Sequence, residues 1–223
     1  MKWIFSVFVV ALILSGCKKQ STEVHMHLDY FDLTPGRFII YNVTEITHNN
    51  SASHDTLIYQ LKTVIGDTIH DNENRIARKY LRYKRNSSSD PWVIKDVWTA
   101  IIADYKAELV EENQRIIKMV FAPTLAKEWN AHVYTTLAEQ ETYYEEIHQP
   151  YQVGNLSFDS TVTVMQENDP PNLIAYKSKY EIYAKGIGMV KKRFVDLNIN
   201  NFDVTNINSG KELYMNAVSF GFE

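Results

Sequence analysis

Cysteine is all but missing from this sequence. The single one, Cys17, rules out a disulfide scaffold and leaves that thiol without an intramolecular partner. Glycine and proline are scarce too, at 8 and 6 of 223 residues, which excludes collagen-like and low-complexity chains. There is no excess of positive charge: 23 Lys and Arg face 27 Asp and Glu, for a formal charge of −4. A general nucleic-acid binder needs the opposite balance, because it must neutralise phosphates, so nucleic acid is not an expected partner. Only one long apolar run exists. Trp3 to Leu14 is interrupted by Ser6 alone, and it falls short of the roughly 20 residues that a membrane-spanning helix needs. Catalytic signatures are absent as well: no Gly-x-Ser-x-Gly, no His-Glu-x-x-His and no phosphate-binding glycine loop. Apolar residues, by contrast, make up 45% of the chain, with 14 Tyr, 10 Phe and 4 Trp, enough to build a core.

Lys2 and the apolar run behind it read as the first two regions of a secretory signal peptide. The run closes on Leu14-Ser15-Gly16-Cys17, where small residues let the chain enter a peptidase in extended form. This tetrapeptide resembles the lipobox of bacterial lipoproteins. The resemblance implies that Cys17 is alkylated by diacylglycerol, that the chain is cut before it, and that the new amine is acylated with a fatty acid such as palmitate. The alternatives are an ordinary signal peptide with a chance Cys, or a retained apolar N-terminal helix. At about 0.8 kcal/mol per buried CH₂, two or three acyl chains form a practically permanent anchor. The expected organisation is a lipoprotein signal peptide over 1–16, a lipidated tether over 17–34, and a single β-rich domain over 35–223. The protein is then held in the cell envelope, on the extracytoplasmic side, by lipid rather than by surface charge.

Beyond Pro35 the apolar pattern has period two. Leu57, Tyr59, Leu61, Thr63 and Ile65 share one strand face. Ile174, Tyr176, Ser178, Tyr180 and Ile182 share another, with Lys177, Lys179 and Glu181 on the opposite, wetter face. Tyr214, Val218, Phe220 and Phe222 alternate near the C-terminus. Turn residues such as Pro35-Gly36, Asp90-Pro91, Glu112-Asn113, Gly154-Asn155 and Asp169-Pro170-Pro171 punctuate the runs. Strands are expected near 37–48, 54–65, 74–85, 92–102, 105–112, 115–122, 129–136, 156–167, 173–184, 187–198 and 211–222. Thr136 to Ile147 suits a short helix or a strand. Phe38 to Val43 and Trp92 to Trp98 are apolar on both faces, which requires that the inner face of the sheet be covered. The fold class is all-β and mainly antiparallel: a curved sheet, a half-barrel or an open barrel.

Leu33-Thr34-Pro35-Gly36-Arg37-Phe38-Ile39-Ile40-Tyr41-Asn42-Val43 resembles the opening turn and strand of many Bacteroidetes-type lipoproteins, with Asp32 in place of the usual Pro. Tyr183-Ala184-Lys185-Gly186-Ile187-Gly188-Met189-Val190-Lys191 resembles their late glycine-opened strand. The resemblance implies a curved antiparallel sheet like the half-barrel of lipoprotein carriers such as LolA. It spans about twenty residues and brings no catalytic group with it.

Candidate chemistry is sparse. Of seven His, only His25 and His27 lie close together, and without further ligands nearby no metal site is expected. Glu111-Glu112 and Glu145-Glu146 put adjacent carboxylates on opposite strand faces, so neither pair is a catalytic dyad. No catalytic residue and no cofactor is assigned. Arg75, Arg78, Lys79, Arg82, Lys84 and Arg85 form a basic strand with Tyr80 and Tyr83 interleaved. It reads as cross-strand pairing with Glu108, Glu111 and Glu112, or as an anionic-glycan surface. Asp55-Thr56-Leu57, Asp67-Thr68-Ile69 and Asp159-Ser160-Thr161 resemble the O-glycosylation signal of Bacteroidetes extracytoplasmic proteins, which implies glycans on Thr56, Thr68 or Ser160.

These readings favour a non-enzymatic carrier or binding module for an apolar or glycan ligand. The alternatives are an accessory subunit that meets an envelope protein partner and, behind it, an envelope hydrolase. An enclosed apolar cavity of roughly 300 Å³ or more marks the carrier. A filled interior with a large exposed apolar patch marks the subunit.

Overall fold

The computed structural model describes residues 24–50 and 53–223. Twelve strands form one antiparallel sheet: β1 (Arg37–Asn50), β2 (Ser53–His70), β3 (Ile76–Arg85), β4 (Val93–Ala103), β5 (Lys106–Glu111), β6 (Gln114–Val120), β7 (Glu128–Asn130), β8 (Glu141–Val153), β9 (Leu156–Asp169), β10 (Ala175–Ala184), β11 (Gly188–Asn200) and β12 (Asp203–Phe222). Their order is β6-β5-β4-β3-β2-β1-β12-β11-β10-β9-β8-β7. Every neighbour but one is consecutive in the chain, and the exception joins the first strand to the last. Among the described residues the one helical piece is a 3₁₀ turn at Leu28–Tyr30.

The sheet curls almost shut. Eight strand spacings separate β6 from β10 along the sheet, about 38 Å if it were flat. Yet Lys118 of β6 and Glu181 of β10 touch at 2.8 Å. One seam remains, where β6 faces β7 and β8. It is bridged by the Ile117 N–H donating to Ala131 O at 2.9 Å, by the Trp129 indole donating to Ile117 O at 3.2 Å, and by the Tyr144 hydroxyl donating to Val120 O at 2.8 Å. These bonds protect strand edges that would otherwise be free to pair with other chains. A LolA-like half-barrel is not confirmed: the sheet wraps further round than that.

Period-two reading locates most strands. Tyr59, Leu61, Thr63 and Ile65 are all buried, as expected, although Leu57 at the start of that face is exposed. Glu112 and Asn113 both adopt the left-handed backbone of a tight hairpin turn. Four expectations need correction. No helix forms over 136–147, because Thr142 and Tyr144 point into the core from β8 and tertiary burial overrides local propensity. The strand expected over 129–136 ends at Asn130 and gives way to turns. The face opposite Tyr180 and Ile182 is not wet, since Glu181 is 1% exposed. Near the C-terminus the inward residues are Met215 and Ala217, while Val218, Phe220 and Phe222 are exposed; a bulge opposite Ile40 and Tyr41 shifts the register there.

The tether boundary also moves. Within the expected 17–34 tether, Tyr30 is fully buried and Phe31 is 7% exposed. The N–H of Ala122 bonds Met26 O at 2.9 Å and that of Gly186 bonds Asp29 O at 2.8 Å. Residues 26–33 are therefore a strap across one end of the barrel. The basic strand pairs with acids as expected in kind, but with other partners. β3 neighbours β2 and β4, so Arg82 meets Asp96 at 3.2 Å, Lys79 meets Asp67 at 3.7 Å and Arg75 meets Asp71 at 2.6 Å.

Backbone geometry yields a graded test. Gly210 sits at φ +136, and a Cβ there would stand 2.3 Å from Asp196 O. Gly154 has φ +54 with nothing within 4 Å. Gly154→Ala should cost about 1 kcal/mol of backbone strain, whereas Gly210→Ala forces strands apart and should cost clearly more, above about 2 kcal/mol. Urea unfolding checks the order; equal losses would mean that β11 and β12 do not approach as described.

Candidate functional site

The barrel interior holds a partly open cavity of about 200 Å³. Its wall comes from nine strands and the strap: Ile39 of β1, Leu61 and Thr63 of β2, Tyr80 and Arg82 of β3, Trp98 of β4, Leu109 and Glu111 of β5, Lys118 of β6, Glu181 and Tyr183 of β10, Met189 and Lys192 of β11, Leu213 and Met215 of β12, and Phe31, Asp32 and Leu33. Most of this lining is aliphatic or aromatic. The volume falls short of the roughly 300 Å³ expected of a carrier cavity. It exceeds the roughly 150 Å³ that accepts benzene in an engineered apolar core.

One wall carries charge. Lys118 Nζ lies 2.8 Å from Glu181 Oε1 and 3.1 Å from Glu111 Oε1. Lys192 Nζ sits 2.9 Å from the same Glu181 oxygen. Tyr183 donates its hydroxyl to Glu181 Oε2 at 2.5 Å. Burial opposes every one of these charges, but the neighbouring groups outweigh it. Glu111 and Glu181 lift Lys118 above the ordinary lysine range, and the Lys118 and Lys192 ammonium groups hold Glu181 and Glu111 below the ordinary carboxylate range. Burial and then Glu181 push the Tyr183 phenol up, so it stays a neutral donor. Nearby, the Arg82 guanidinium stacks 3.7 Å from the Trp98 ring centre, and Arg37 holds Asp32 at 2.8 Å.

A second polar group lies where the strap crosses β8 and β9. The Tyr30 hydroxyl contacts His148 Nδ1 at 2.5 Å and Ser160 Oγ at 2.7 Å. The rings of His27 and His148 are 4.5 Å apart, and those of His25 and His27 are 5.9 Å apart. Sequence spacing pointed to His25 and His27 but not to His148, which stands 121 residues beyond His27 and arrives by folding alone. Among the described residues, no group of three or more His, Cys, Asp or Glu is arranged to hold a metal ion.

The remaining candidates scatter. Cys17 lies outside the described residues. Thr56 and Thr68 are exposed on β2, and Thr68 accepts a bond from Arg78. Ser160 is half-buried with its hydroxyl engaged by Tyr30. Glu111 enters the cavity wall while Glu112 turns away in the hairpin; Glu145 and Glu146 are both exposed. Sequence does not single out Glu181, because it sits in an alternating pattern that reads equally well as solvated, nor Lys118, a lone charge between Ile116-Ile117 and Met119-Val120 with no local sign of a partner.

No family model and no curated protein matches the chain. Among solved structures, the crystal structure of a candidate lipoprotein from Parabacteroides distasonis aligns over 86% of this chain and 98% of its own, with 10% identity and a TM-score of 0.38. So loose a likeness transfers neither fold nor function.

The ion cluster has a definite pH signature. Glu181 is depressed, so its contribution is whole above the unfolded carboxylate value of 4.5 and is lost as pH falls towards its folded value. Lys118 is raised, so its contribution is whole below 10.5 and is lost as pH rises beyond it. Stability from this cluster should be flat between those limits and fall below the lower one. Lys118→Met leaves Glu111 unpaired and Glu181 with Lys192 alone, and should cost about 3–5 kcal/mol at pH 7. Chemical denaturation across pH checks both statements; a Lys118→Met variant as stable as wild type would contradict the burial of the cluster.

Proposed function

We propose that this protein is a lipid-anchored lipoprotein of the cell envelope whose barrel holds one small, mainly apolar ligand with a polar end. The observation that carries the binding reading is the cavity of about 200 Å³, lined mainly by aliphatic and aromatic side chains with paired charged groups set among them. Binding sites have this composition: apolar surface supplies affinity and a few fixed polar groups supply orientation. The size favours a single ring or a short acyl chain over a long lipid. The aliphatic and aromatic lining favours an apolar ligand over a glycan. The anchor reading rests on Leu14-Ser15-Gly16-Cys17 behind an apolar run of signal-peptide length. The attached acyl chains, palmitate among them, hold the chain at the membrane.

The accessory-subunit alternative has one observation in its favour. Leu173, Ile174, Phe202 and Val204 are 59%, 74%, 59% and 42% exposed. Backbone bonds from Asn201 and Phe202 to the 172–173 turn hold the first three together. Phe202 adopts φ +64 in a hairpin turn that normally takes glycine. Keeping a bulky aromatic there costs about 1 kcal/mol or more, which points to a use for the exposed ring.

Native mass spectrometry of the detergent-extracted full chain tests the main reading. The expected spectrum carries diacylglycerol and acyl mass on Cys17 together with a small non-covalent adduct. Leu109→Trp, which fills the cavity, should keep the lipid and lose the adduct. With benzene as probe, the wild type should gain thermal stability and Leu109→Trp should not. A free Cys17 thiol on an uncut chain overturns the anchor reading; a wild type indifferent to benzene and free of adduct overturns the binding reading.

A further inference from the structure

The strap end of the barrel carries a cluster of apolar side chains that the described residues leave uncovered. Val24, Tyr105 and Leu125 are each some two-thirds exposed, and Leu28 is exposed as well. Backbone bonds tie their segments together. The Ala122 N–H donates to Met26 O at 2.9 Å and the Phe121 N–H to Tyr105 O at 2.8 Å. Val24 and Leu28 flank Met26 at two residues on either side, and Leu125 follows Ala122 by three. Tyr105 is held there against local preference. Asp104 and Tyr105 form the two-residue turn between β4 and β5, with φ +49 and +59, a conformation that favours glycine at the second place. Such a backbone outlier persists where the side chain has a use. Tyrosine also suits a membrane interface, with its ring in the apolar layer and its hydroxyl in water. The charges beside the patch are already engaged. Lys185 lies 3.8 Å from Asp29, and the Lys127 ammonium donates to the carbonyls of Phe121 and Ala122.

Covalent reach decides what this patch meets. Seven residue steps link Cys17 to Val24, and a chain of that length spans at most about 25 Å. A lipid on Cys17 therefore keeps the strap end within that distance of the bilayer. The opposite end of the barrel lies much further off. Gly186 bonds Asp29 of the strap, β11 starts two residues later, and its 13 residues run about 40 Å before the turn that carries Phe202. We infer that the Val24, Leu28, Tyr105 and Leu125 patch seats on the membrane that holds the anchor, with these side chains in the boundary between headgroups and acyl chains. The inference rests on the anchor reading above and names the surface that the barrel meets. Tethering makes a small patch sufficient, because a linked chain meets the bilayer at high effective concentration. Affinity comes from the apolar area placed in that boundary. With its neighbouring charges already engaged, the seat does not depend on anionic headgroups. The barrel then stands with Leu173, Ile174 and Phe202 turned away from the membrane.

Lipid quenching of the full chain, extracted in detergent and reconstituted into phosphatidylcholine vesicles, tests the seat. A fluorophore attached through Leu125→Cys should be quenched by doxyl groups on the acyl chains, and one attached through Phe202→Cys should not. Roughly 1 M KCl, which screens charges beyond about 3 Å, should leave that quenching unchanged. Adding Leu28→Ser and Tyr105→Gly to the Leu125→Cys chain should cut it at least about twofold. Because the turn favours glycine, Tyr105→Gly alone should raise the melting temperature while weakening the seat, a split that a purely structural role for the ring would not give. Wild type, with Cys17 lipidated, should take up no thiol label. If wild type refuses label and the probe at 125 goes unquenched, the docking is overturned and the anchor kept; a second copy of the chain covering the patch gives this same result. Equal quenching at 125 and 202 overturns the proposal, as does quenching that salt abolishes. A wild type labelled on Cys17 discards the anchor reading, and the docking falls with the reach it depends on.

Discussion

The Lys118–Glu181 contact joins strands that lie far apart in the sheet and sets what the rest of the molecule can be. It forms only if β6 curls round to face β10, so the barrel, its single seam and its interior all depend on the curvature that permits it. The cluster is also electrically costly. Each buried charge loses several kcal/mol of hydration, and mutual attraction recovers this only when geometry and hydrogen bonding are good. Here Glu181 has Lys118, Lys192 and the Tyr183 hydroxyl around it, and Lys118 has two carboxylates. A well-packed apolar replacement could match the cluster in stability. What the ions add is position: Nζ reaches Glu111 on the neighbouring β5 and Glu181 on β10 together only when β6 faces β10 across the interior.

The same arrangement gives the cavity its polarity. Most of the interior is filled by aliphatic and aromatic side chains, including Tyr41, Leu61 and Met119, each at most 1% exposed. The space that remains lies beside the ions and beneath the strap. A ligand there would meet fixed charges already satisfied by one another, so it would be oriented by dipoles and hydrogen bonds rather than gripped as a counter-ion. The strap beside this space lies within the stretch expected as lipid tether, so under the proposed anchor a ligand site and a lipid attachment would share one short stretch of chain.

Much of the architecture was legible before any coordinates. Alternation in Tyr59 to Ile65 marks a strand because its inner face is apolar and its outer face is not. The doubly apolar run at Phe38 to Val43 called for a covered interior, and the curled sheet supplies it, whereas Val93, Ile94 and Val97 of the Trp92 to Trp98 run stay exposed. Other features were hidden for physical reasons. Glu181 looks solvated because alternation cannot tell a charged residue that finds buried partners from one that finds water. Met215 and Ala217 replaced the expected inward face because a one-residue bulge exchanges faces without any mark in the sequence. The strap is indistinguishable from tether in the sequence because its few apolar residues, Tyr30, Phe31 and Leu33, are too short a run to show a period. His148 could not be linked to His27 by any local rule.

A double-mutant cycle between Lys118 and Glu181 tests the closed barrel most directly. Unfolding free energies of the wild type, Lys118→Met, Glu181→Gln and the double variant at pH 7 isolate the energy of that one contact. A closed sheet predicts a coupling of at least about 1.5 kcal/mol, towards the upper part of the range for residues in one ion network. In an open sheet the two side chains would stand about 38 Å apart, their losses would simply add, and a coupling near zero would contradict the barrel and the cavity with it.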